Sequence, residues 1–239
     1  MLARKSMGNS TLPWGAYGVY DGLNVSYSPT DSSKNDAGNP ISIGAPNPDR
    51  YLCFLIRLPV QNGATDLTGV SVGGVNLTQI YTTSDYYSKT YIYIGNVPAG
   101  TTANVTYTVD TSTFSWDING TVFAFYGDYT VQDTAGSIDP SRSFSGLSVT
   151  AGESIVAFVV GSQGHSSAST AAITSSSPQS TGVWERISSN SSGTTVCESW
   201  VIQPEDVTTT TTAQTATIAF TGDSTPQYSS ICAISILPA

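Results

Sequence analysis

Short apolar runs separated by turn residues dominate the sequence from residue 41 onward. Residues 51–56 form a continuous apolar run with the length of one buried strand. Turn signals such as Val72-Gly73-Gly74-Val75 and Pro98-Ala99-Gly100 punctuate the chain. Further strand-like runs lie at 91–94, 105–109, 121–126, 154–160, 183–187, 195–202, 215–220 and 230–237. Because no long segment carries apolar residues at helical spacing, the pattern predicts an all-β fold.

The strand-like runs contain an internal repeat. Four stretches of the first half match four stretches of the second half in the same order. The matched pairs are 49–56 with 152–159, 96–98 with 202–204, 103–110 with 216–223, and 122–125 with 231–234. The number of residues that separates the two members of a pair varies only slightly, as differences in loop length between two copies would produce. The sequence therefore predicts two related halves, over about residues 41–131 and 144–239.

Each half supplies several strands, and a single sheet of them leaves one apolar face uncovered. Packing the two halves face to face covers both faces, which predicts a jelly-roll-like β-sandwich of about ten strands. Residues 132–143, with Gly136 and Pro140, are the expected crossover between the halves. Two small sandwiches joined at this crossover are the alternative.

Residues 1–40 differ from the rest of the chain, because Gly, Pro, Ser and Asn dominate and aromatic residues are interspersed. A solvated tail avoids aromatic side chains. We interpret this segment as an extended N-terminal arm that either folds back on its own domain or docks on a neighbouring subunit or partner. The candidate docking residues are Arg4, Lys5, Trp14, Tyr17 and Tyr20.

Composition and charge exclude several classes of protein. Charged residues make up 10% of the chain and the net charge is −9, with scattered cations, so no direct binding to nucleic acid is expected. No apolar stretch is long enough to span a membrane, and the first twenty residues lack the apolar core of a signal peptide. We expect synthesis in the cytoplasm. Cys53, Cys197 and Cys232 lie in strand-like runs and are expected to be buried, reduced thiols.

Catalytic and metal-binding signals are weak. His165 is the single histidine, in a Ser/Gly-rich loop, and no Gly-x-Ser-x-Gly elbow accompanies it. The carboxylates concentrate at turns, where Asp side chains bond to nearby backbone amides. No Cys/His cluster or Asp-rich calcium loop occurs. We therefore expect a protein that is not an enzyme and that uses no cofactor and no metal.

An aromatic-polar loop is the clearest candidate for ligand binding. Tyr81, Tyr86 and Tyr87 lie close in sequence to Asp85 and Lys89, and such rings stack on sugars. Trp184 is a further candidate stacking residue. The alternative is that these rings pack against the sheet or against a neighbouring subunit.

Five segments of the first half form a recognisable succession of turns and strands. They are Ile43-Gly44, Asp49-Arg50-Tyr51-Leu52, Val70-Ser71-Val72-Gly73-Gly74-Val75, Tyr91-Ile92-Tyr93 and Val97-Pro98-Ala99-Gly100-Thr101-Thr102. This succession resembles a family of virion structural proteins of tailed phages and prophages, in which a strand opened by Asp-Arg-Leu precedes a Ser-Val-x-Ile-Gly-Gly-Val hairpin and a Val-Pro-x-Gly-Thr turn. The second half departs from the pattern at Thr181-Gly182-Val183-Trp184. The motifs are structural turns, so the resemblance implies no catalytic residue.

The resemblance implies a virion location and a structural role. We expect a capsid decoration, cement or head-fibre protein that docks on the major capsid protein or another virion protein through its arm. A symmetric homo-oligomer such as a trimer is expected. The alternative is a tail-fibre or spike module that binds host surface glycan, and an enzyme ranks third.

Overall fold

A computed structural model describes residues 17–25, 33–35, 40–60, 66–110, 118–138, 143–163, 170–177, 185–192, 195–202, 204–221 and 228–238. Apart from one three-residue 3-10 turn, Pro204–Asp206, every regular element in these residues is a β-strand, which confirms the all-β prediction. The first eleven strands are β1 Tyr17–Val25, β2 Ser33–Asn35, β3 Ile41–Ser42, β4 Arg50–Pro59, β5 Leu67–Val72, β6 Val75–Asn76, β7 Thr78–Ser84, β8 Ser88–Asn96, β9 Thr102–Ala103, β10 Val105–Val109 and β11 Ile118–Tyr126.

Eight strands follow in the second half. They are β12 Tyr129–Ile138, β13 Ser143–Val149, β14 Ile155–Gln163, β15 Thr170–Ser177, β16 Glu185–Ser192, β17 Thr195–Ile202, β18 Thr211–Thr221 and β19 Tyr228–Pro238.

Strands β1 to β11 form a two-sheet sandwich, called the N-terminal sandwich below. Its large sheet has the order β1-β11-β4-β8-β7 and its small sheet the order β2-β10-β5-β6, while β3 and β9 pair separately. Leu52, Phe54 and Ile56 of β4 point into the core between the two sheets. The predicted Gly73-Gly74 hairpin is present: both glycines have positive φ, 58° and 83°, as a two-residue turn of this kind requires.

Strands β12 to β19 form the C-terminal sandwich. Its large sheet has the order β12-β19-β14-β17-β16 and its small sheet the order β13-β18-β15. Phe158 of β14 lies at the centre of its core, stacked on Trp200 with ring centroids 4.8 Å apart. Each sandwich therefore has an apolar core of its own.

The two large sheets pack against each other, and this contact is called the central interface. Cys53 and Leu55 of β4 face Ala157 and Val159 of β14 across it, within one cluster of buried side chains. Because both large sheets are covered on both faces, β4 and β14 are apolar at nearly every position, which explains the continuous runs in the sequence. The molecule has four β-layers.

This layering corrects the predicted sandwich of about ten strands, in which each half was one sheet. Each half contains two sheets, so the alternative of two small sandwiches describes the layers better, although the two are not independent. The boundaries also differ from the predicted ones. Residues 129–138, which include most of the predicted crossover before Pro140, are a strand of the C-terminal sandwich, and the link between the sandwiches is at 127–128.

The N-terminal arm is described only in part. Residues 17–25 and 33–35 are strands β1 and β2 at sheet edges, with Tyr17 opposite Ala124 and Tyr20 opposite Val122 in the backbone register. Arg4, Lys5 and Trp14 lie outside the described residues. Docking through this arm stays a prediction.

The strands run between two ends of the molecule. The turn end holds residues 44–49, 97–102, 127–128 and 150–154, where the chain reverses in short connections. The loop end holds the tip of the β7–β8 hairpin at 84–88 and the first residues of β19 at 228–230. Both sandwiches share these ends, because Tyr51 contacts Tyr129 at the turn end and Asp85 contacts Ser229 at the loop end.

Candidate functional site

A buried arginine organises the turn end. Arg50 opens β4, and its guanidinium donates to five backbone carbonyl oxygens at 2.7–2.9 Å. The acceptors belong to Gly44, Ala45, Val97, Ala99 and Gly100. A planar guanidinium with five donors suits such an array of carbonyls, which a lysine ammonium does not. Three of the motifs noted in the sequence therefore meet at one side chain.

The tip of the β7–β8 hairpin is the most exposed aromatic feature among the described residues. Tyr86 is 49% exposed, and its ring lies edge-on against Tyr87 with centroids 4.6 Å apart. Asp85 fixes the backbone here, accepting from Tyr86 N at 2.6 Å and from Ser229 N at 2.9 Å. The carbonyl of Tyr87 accepts from Val60 N at 3.1 Å. A half-exposed aromatic ring thus lies on a braced turn.

A second exposed apolar residue lies at the same end. Ile138, the last residue of β12, is 51% exposed and lies opposite Ser230 in the register. Ser229, the residue before Ser230, contacts the hairpin tip by donating its backbone N–H to Asp85. The sequence analysis did not single out Ile138, because an isolated apolar residue at a strand end carries no distinctive signal.

Tyr81 lies away from the tip. Its ring is partly buried against the central interface, where burial, the Cys232 thiol and Asp133 raise the pKa of its phenol. Tyr81 therefore packs between the sandwiches, as the alternative interpretation of the loop expected.

Lys89 also points inward. Its ammonium binds Asp66 Oδ1 at 2.7 Å, and Tyr91 donates its hydroxyl to the same oxygen at 3.1 Å. Lys89 is buried, so it is not part of an exposed ligand site at the hairpin tip.

Trp184 lies outside the described residues. Glu185, the next residue, pairs with Val201, and Val201 pairs with Ala157 near the turn end. The hairpin tip with Tyr86 lies at the other end of the same layers. The predicted set of four stacking residues therefore reduces, among the described residues, to the Tyr86–Tyr87 pair.

The central interface changes character along its length. Towards the turn end it is aromatic and aliphatic, with Tyr51, Phe125 and Tyr129 in mutual ring contact at 4.7–5.7 Å. Towards the loop end it is polar. There Thr83 Oγ1 donates to Ile231 O at 3.0 Å, and Ser230 Oγ donates to Ser88 Oγ at 3.2 Å.

All three cysteines face the central interface. Cys53, Cys197 and Cys232 are free and buried, as predicted. Burial raises the pKa of all three thiols, that of Cys197 to about 12 and that of Cys232 to about 11. Thiols that stay protonated at neutral pH are poor nucleophiles, so these residues act as small core side chains.

Arg57 is also buried in this interface, on the same face of β4 as Cys53 and Leu55. Burial lowers its pKa to about 10, which still leaves the guanidinium charged at neutral pH. In the sequence, Arg57 counts only among the scattered cations. The signal that marks it is a charged residue inside a run that is otherwise apolar from Tyr51 to Leu58.

Metal chemistry has no candidate site among the described residues. In that part of the chain no group of three or more His, Cys, Asp or Glu side chains is arranged to hold a metal ion. His165 falls outside it. Nor does any helix in the described residues have the length and apolar character needed to cross a lipid bilayer.

Neither a family model nor a curated protein matches the chain.

Proposed function

We propose that this chain is a non-enzymatic virion structural protein of a tailed phage that decorates the capsid. It docks on the major capsid protein, or another virion protein, through its N-terminal residues. The observation that carries the proposal is the Arg50 cluster. Segments 43–44, 49–52 and 97–102, which resemble phage virion proteins, meet in space around one buried guanidinium. Motifs joined in this way specify a shared fold more strongly than separate turns do.

The fold supports a structural role in a second way. Without the two-residue strands β3, β6 and β9, each half has eight strands, and along the chain they switch between the large and the small sheet in the same sequence. Across the large sheets, β1-β11-β4-β8-β7 corresponds strand by strand to β12-β19-β14-β17-β16. We interpret each half as a jelly-roll-like sandwich and the whole chain as a duplication of it. The four sequence matches fall on equivalent strands or at their ends, which supports this interpretation.

The position of β1 indicates which end of the molecule would face the shell. Tyr17 lies opposite Ala124, close to the start of β4, so β1 begins at the turn end. Residues 1–16, which include Arg4, Lys5 and Trp14, therefore join the fold at the turn end. Docking through them directs the loop end, with Tyr86, away from the shell. In the virion the protein forms a symmetric homo-oligomer, such as a trimer.

The test is binding to particles that lack the protein. Deleting residues 1–16 leaves β1 in place, whereas deleting 1–40 also removes two edge strands. The full chain should co-sediment with the particles and appear as added density in cryo-electron micrographs, and the 1–16 deletion should lose both. The Tyr86→Ala variant is the matched control and should bind normally. Absence of the protein from purified particles, or full occupancy by the deletion variant, contradicts the proposal.

The braced, half-exposed Tyr86 supports a second candidate function, binding of host surface glycan by a tail-fibre or spike module. A ring held rigidly on a turn loses little entropy when a sugar stacks on it. In this case Tyr86→Ala abolishes glycan-array binding and reduces adsorption to cells, while Tyr86→Phe, which keeps the ring, retains both. An array without hits for the full chain rejects this candidate.

A further inference from the structure

The two large sheets meet in a reciprocal way. Strand β7 contacts β12 while β1 contacts β16, and β8 contacts β19 while β11 contacts β17. Counted across the large sheets, the fifth strand of the N-terminal sandwich faces the first strand of the C-terminal sandwich, and the first strand of the N-terminal sandwich faces the fifth of the C-terminal one. Strands β4 and β14, which are equivalent, face each other at the centre. Reciprocal contact of equivalent elements is the property of an isologous, twofold interface between identical subunits.

The direction of the strands agrees with this description. Both sandwiches have their turn ends together and their loop ends together. A twofold axis that runs parallel to the strands, between β4 and β14, keeps strand direction and reverses the order of strands across the sheet. The observed arrangement has both properties. The central interface therefore has the geometry of a homodimer interface inside one chain.

Residues near this axis lie in matching positions. The residues of β4 that face the interface are Tyr51, Cys53, Leu55 and Arg57, and those of β14 are Ile155, Ala157, Val159 and Gly161. Arg57 pairs with Thr90 and Asn119 on its flanking strands, and Gly161 pairs with Cys197 and Ser230 on the equivalent strands. Counted from the turn end, Arg57 and Gly161 are each the fourth interface-facing residue of the central strand of their large sheet, so they occupy equivalent positions.

These two equivalent positions are also in direct contact. A Cβ atom added to Gly161 would lie 2.3 Å from Arg57 Cγ and 2.7 Å from Ser88 Oγ, so only glycine fits beneath the arginine. An exactly twofold interface would place the same residue type on both sides of this contact. Two arginines would put two buried cations in one space, and two glycines would leave a void where the side chain now packs.

We propose that the central interface is an intrachain isologous interface that accepts only unlike halves, because Arg57 of one half fills the space left by Gly161 of the other. The interaction surface of each sandwich thus fits one partner, the complementary half of the same chain. Pairing of like halves from two chains is disfavoured, since it brings Arg57 against Arg57 or Gly161 against Gly161. This selectivity uses a steric and charge penalty against the wrong partner.

The test exchanges the two residues in the full chain. Arg57→Gly and Gly161→Arg singly should each lower Tm by roughly 4–10 °C, because one leaves a void and the other places two cations together. The double variant, with the residues exchanged across the axis, should recover most of the loss. Reaction of the three interface cysteines with a thiol reagent gives a local readout. It should accelerate about tenfold or more in the Gly161→Arg variant and return towards the parent rate in the double variant.

A double variant as impaired as the sum of the two singles overturns the proposal, as does a Gly161→Arg protein with unchanged Tm. If Gly161→Arg does not fold, the cycle of Gly161→Ala and Arg57→Ala replaces it. Gly161→Ala should lower Tm in the parent chain but much less in the Arg57→Ala variant, which lacks the Cγ atom that the new methyl group would meet. An equal loss of Tm with and without Arg57 overturns the proposal. Gly69→Ala, where the added Cβ meets only Thr108 at 3.7 Å, is the control for a strand glycine outside the interface and should change Tm little.

Discussion

The guanidinium of Arg50 donates a 2.7 Å hydrogen bond from Nε to the carbonyl oxygen of Val97, 47 residues further along the chain. The carbonyl of Arg50 in turn accepts from Val97 N at 3.1 Å. These bonds attach the loop after β8 to the first residue of β4. Because the side chain is buried, a shorter replacement leaves several carbonyls without their donor.

Replacing Arg50 should therefore destabilise the whole fold. We expect Arg50→Ala to lower the free energy of unfolding by about 3–5 kcal/mol, the cost of breaking a buried charged network. Arg50→Lys should recover only part of this, because an ammonium has three donors in place of five. Thermal and urea denaturation of both variants measure the effect. A loss below about 1 kcal/mol for Arg50→Ala would show that the turn end holds together without the guanidinium.

Gly136 should resist substitution for steric reasons. A Cβ atom there would lie 2.4 Å from Thr83 Cγ2 and 2.6 Å from the Ile231 carbonyl oxygen, where β12 crosses β7. We expect Gly136→Ala to cost about 1–3 kcal/mol through overpacking. Adding Thr83→Ser, which removes the methyl group but keeps the hydroxyl, should restore a measurable part of the stability. Chemical denaturation of the single and double variants provides the comparison.

Asp66 should be needed to keep Lys89 buried. Asp66 accepts from both the Lys89 ammonium and the Tyr91 hydroxyl, and it is itself about half exposed. We expect Asp66→Ala to cost about 1–3 kcal/mol, because it leaves a buried cation without this partner. The double variant Asp66→Ala, Lys89→Met should be more stable than Asp66→Ala alone. If the two are equally stable, burying the Lys89 ammonium without Asp66 carries no measurable cost.

Stability should fall in mildly alkaline solution. The pKa values of Cys197 and Cys232 are raised to about 12 and about 11 by burial, and that of Tyr93 to about 12. Above about pH 9 for the two thiols, and above about pH 10 for the Tyr93 phenol, the unfolded chain loses the proton while the folded chain retains it, so each group then lowers stability by about 1.4 kcal/mol per pH unit. The contribution of these groups is fully present below pH 9. Tm measured from pH 7 to 10.5 should decline steeply in the upper half of this range.

A matched variant separates this effect from general alkaline damage. Cys232→Ala removes one of the ionising groups, so its Tm should decline less steeply with pH than that of the parent, whatever its value at pH 7. Parallel curves of Tm against pH would mean that the Cys232 thiol has the same pKa in the folded and the unfolded chain.

The strands were predictable because burial on both faces leaves an unmistakable apolar run. Residues 51–56 and 154–160 are examples, and both lie in the central strands of large sheets. The number of layers was not predictable from these runs. An apolar run shows that both faces of a strand are covered, but it does not show whether a sheet of the same half or of the other half covers each face.

The register of the repeat was harder to predict than its existence. The sequence match of 49–56 with 152–159 places Cys53 opposite Val156, whereas the interface faces of the two strands align Cys53 with Ala157. A slip of one residue exchanges the two faces of a strand, and in a run that is apolar throughout nothing in the sequence penalises the slip. Only the four matched stretches as a set were informative.

The aromatic-polar loop was recognisable from the sequence, but the directions of its side chains were not. Tyr86 and Tyr87 lie in ring contact at the hairpin tip. The inward positions of Tyr81 and Lys89 depend on β12 and on Asp66, which are distant in sequence from the loop. Local sequence does not reveal such partners.

The shared direction of the two sandwiches has a practical consequence for attaching other molecules to the protein. Tyr17 and Pro238, the first and last residues that the structure describes, both lie at the turn end, since Pro238 pairs with Tyr129 and Tyr17 with Ala124. A label or domain fused directly before Tyr17 or after Pro238 therefore starts from the same side. The opposite side, where Tyr86 and Ile138 are exposed, is the place to insert a peptide for display.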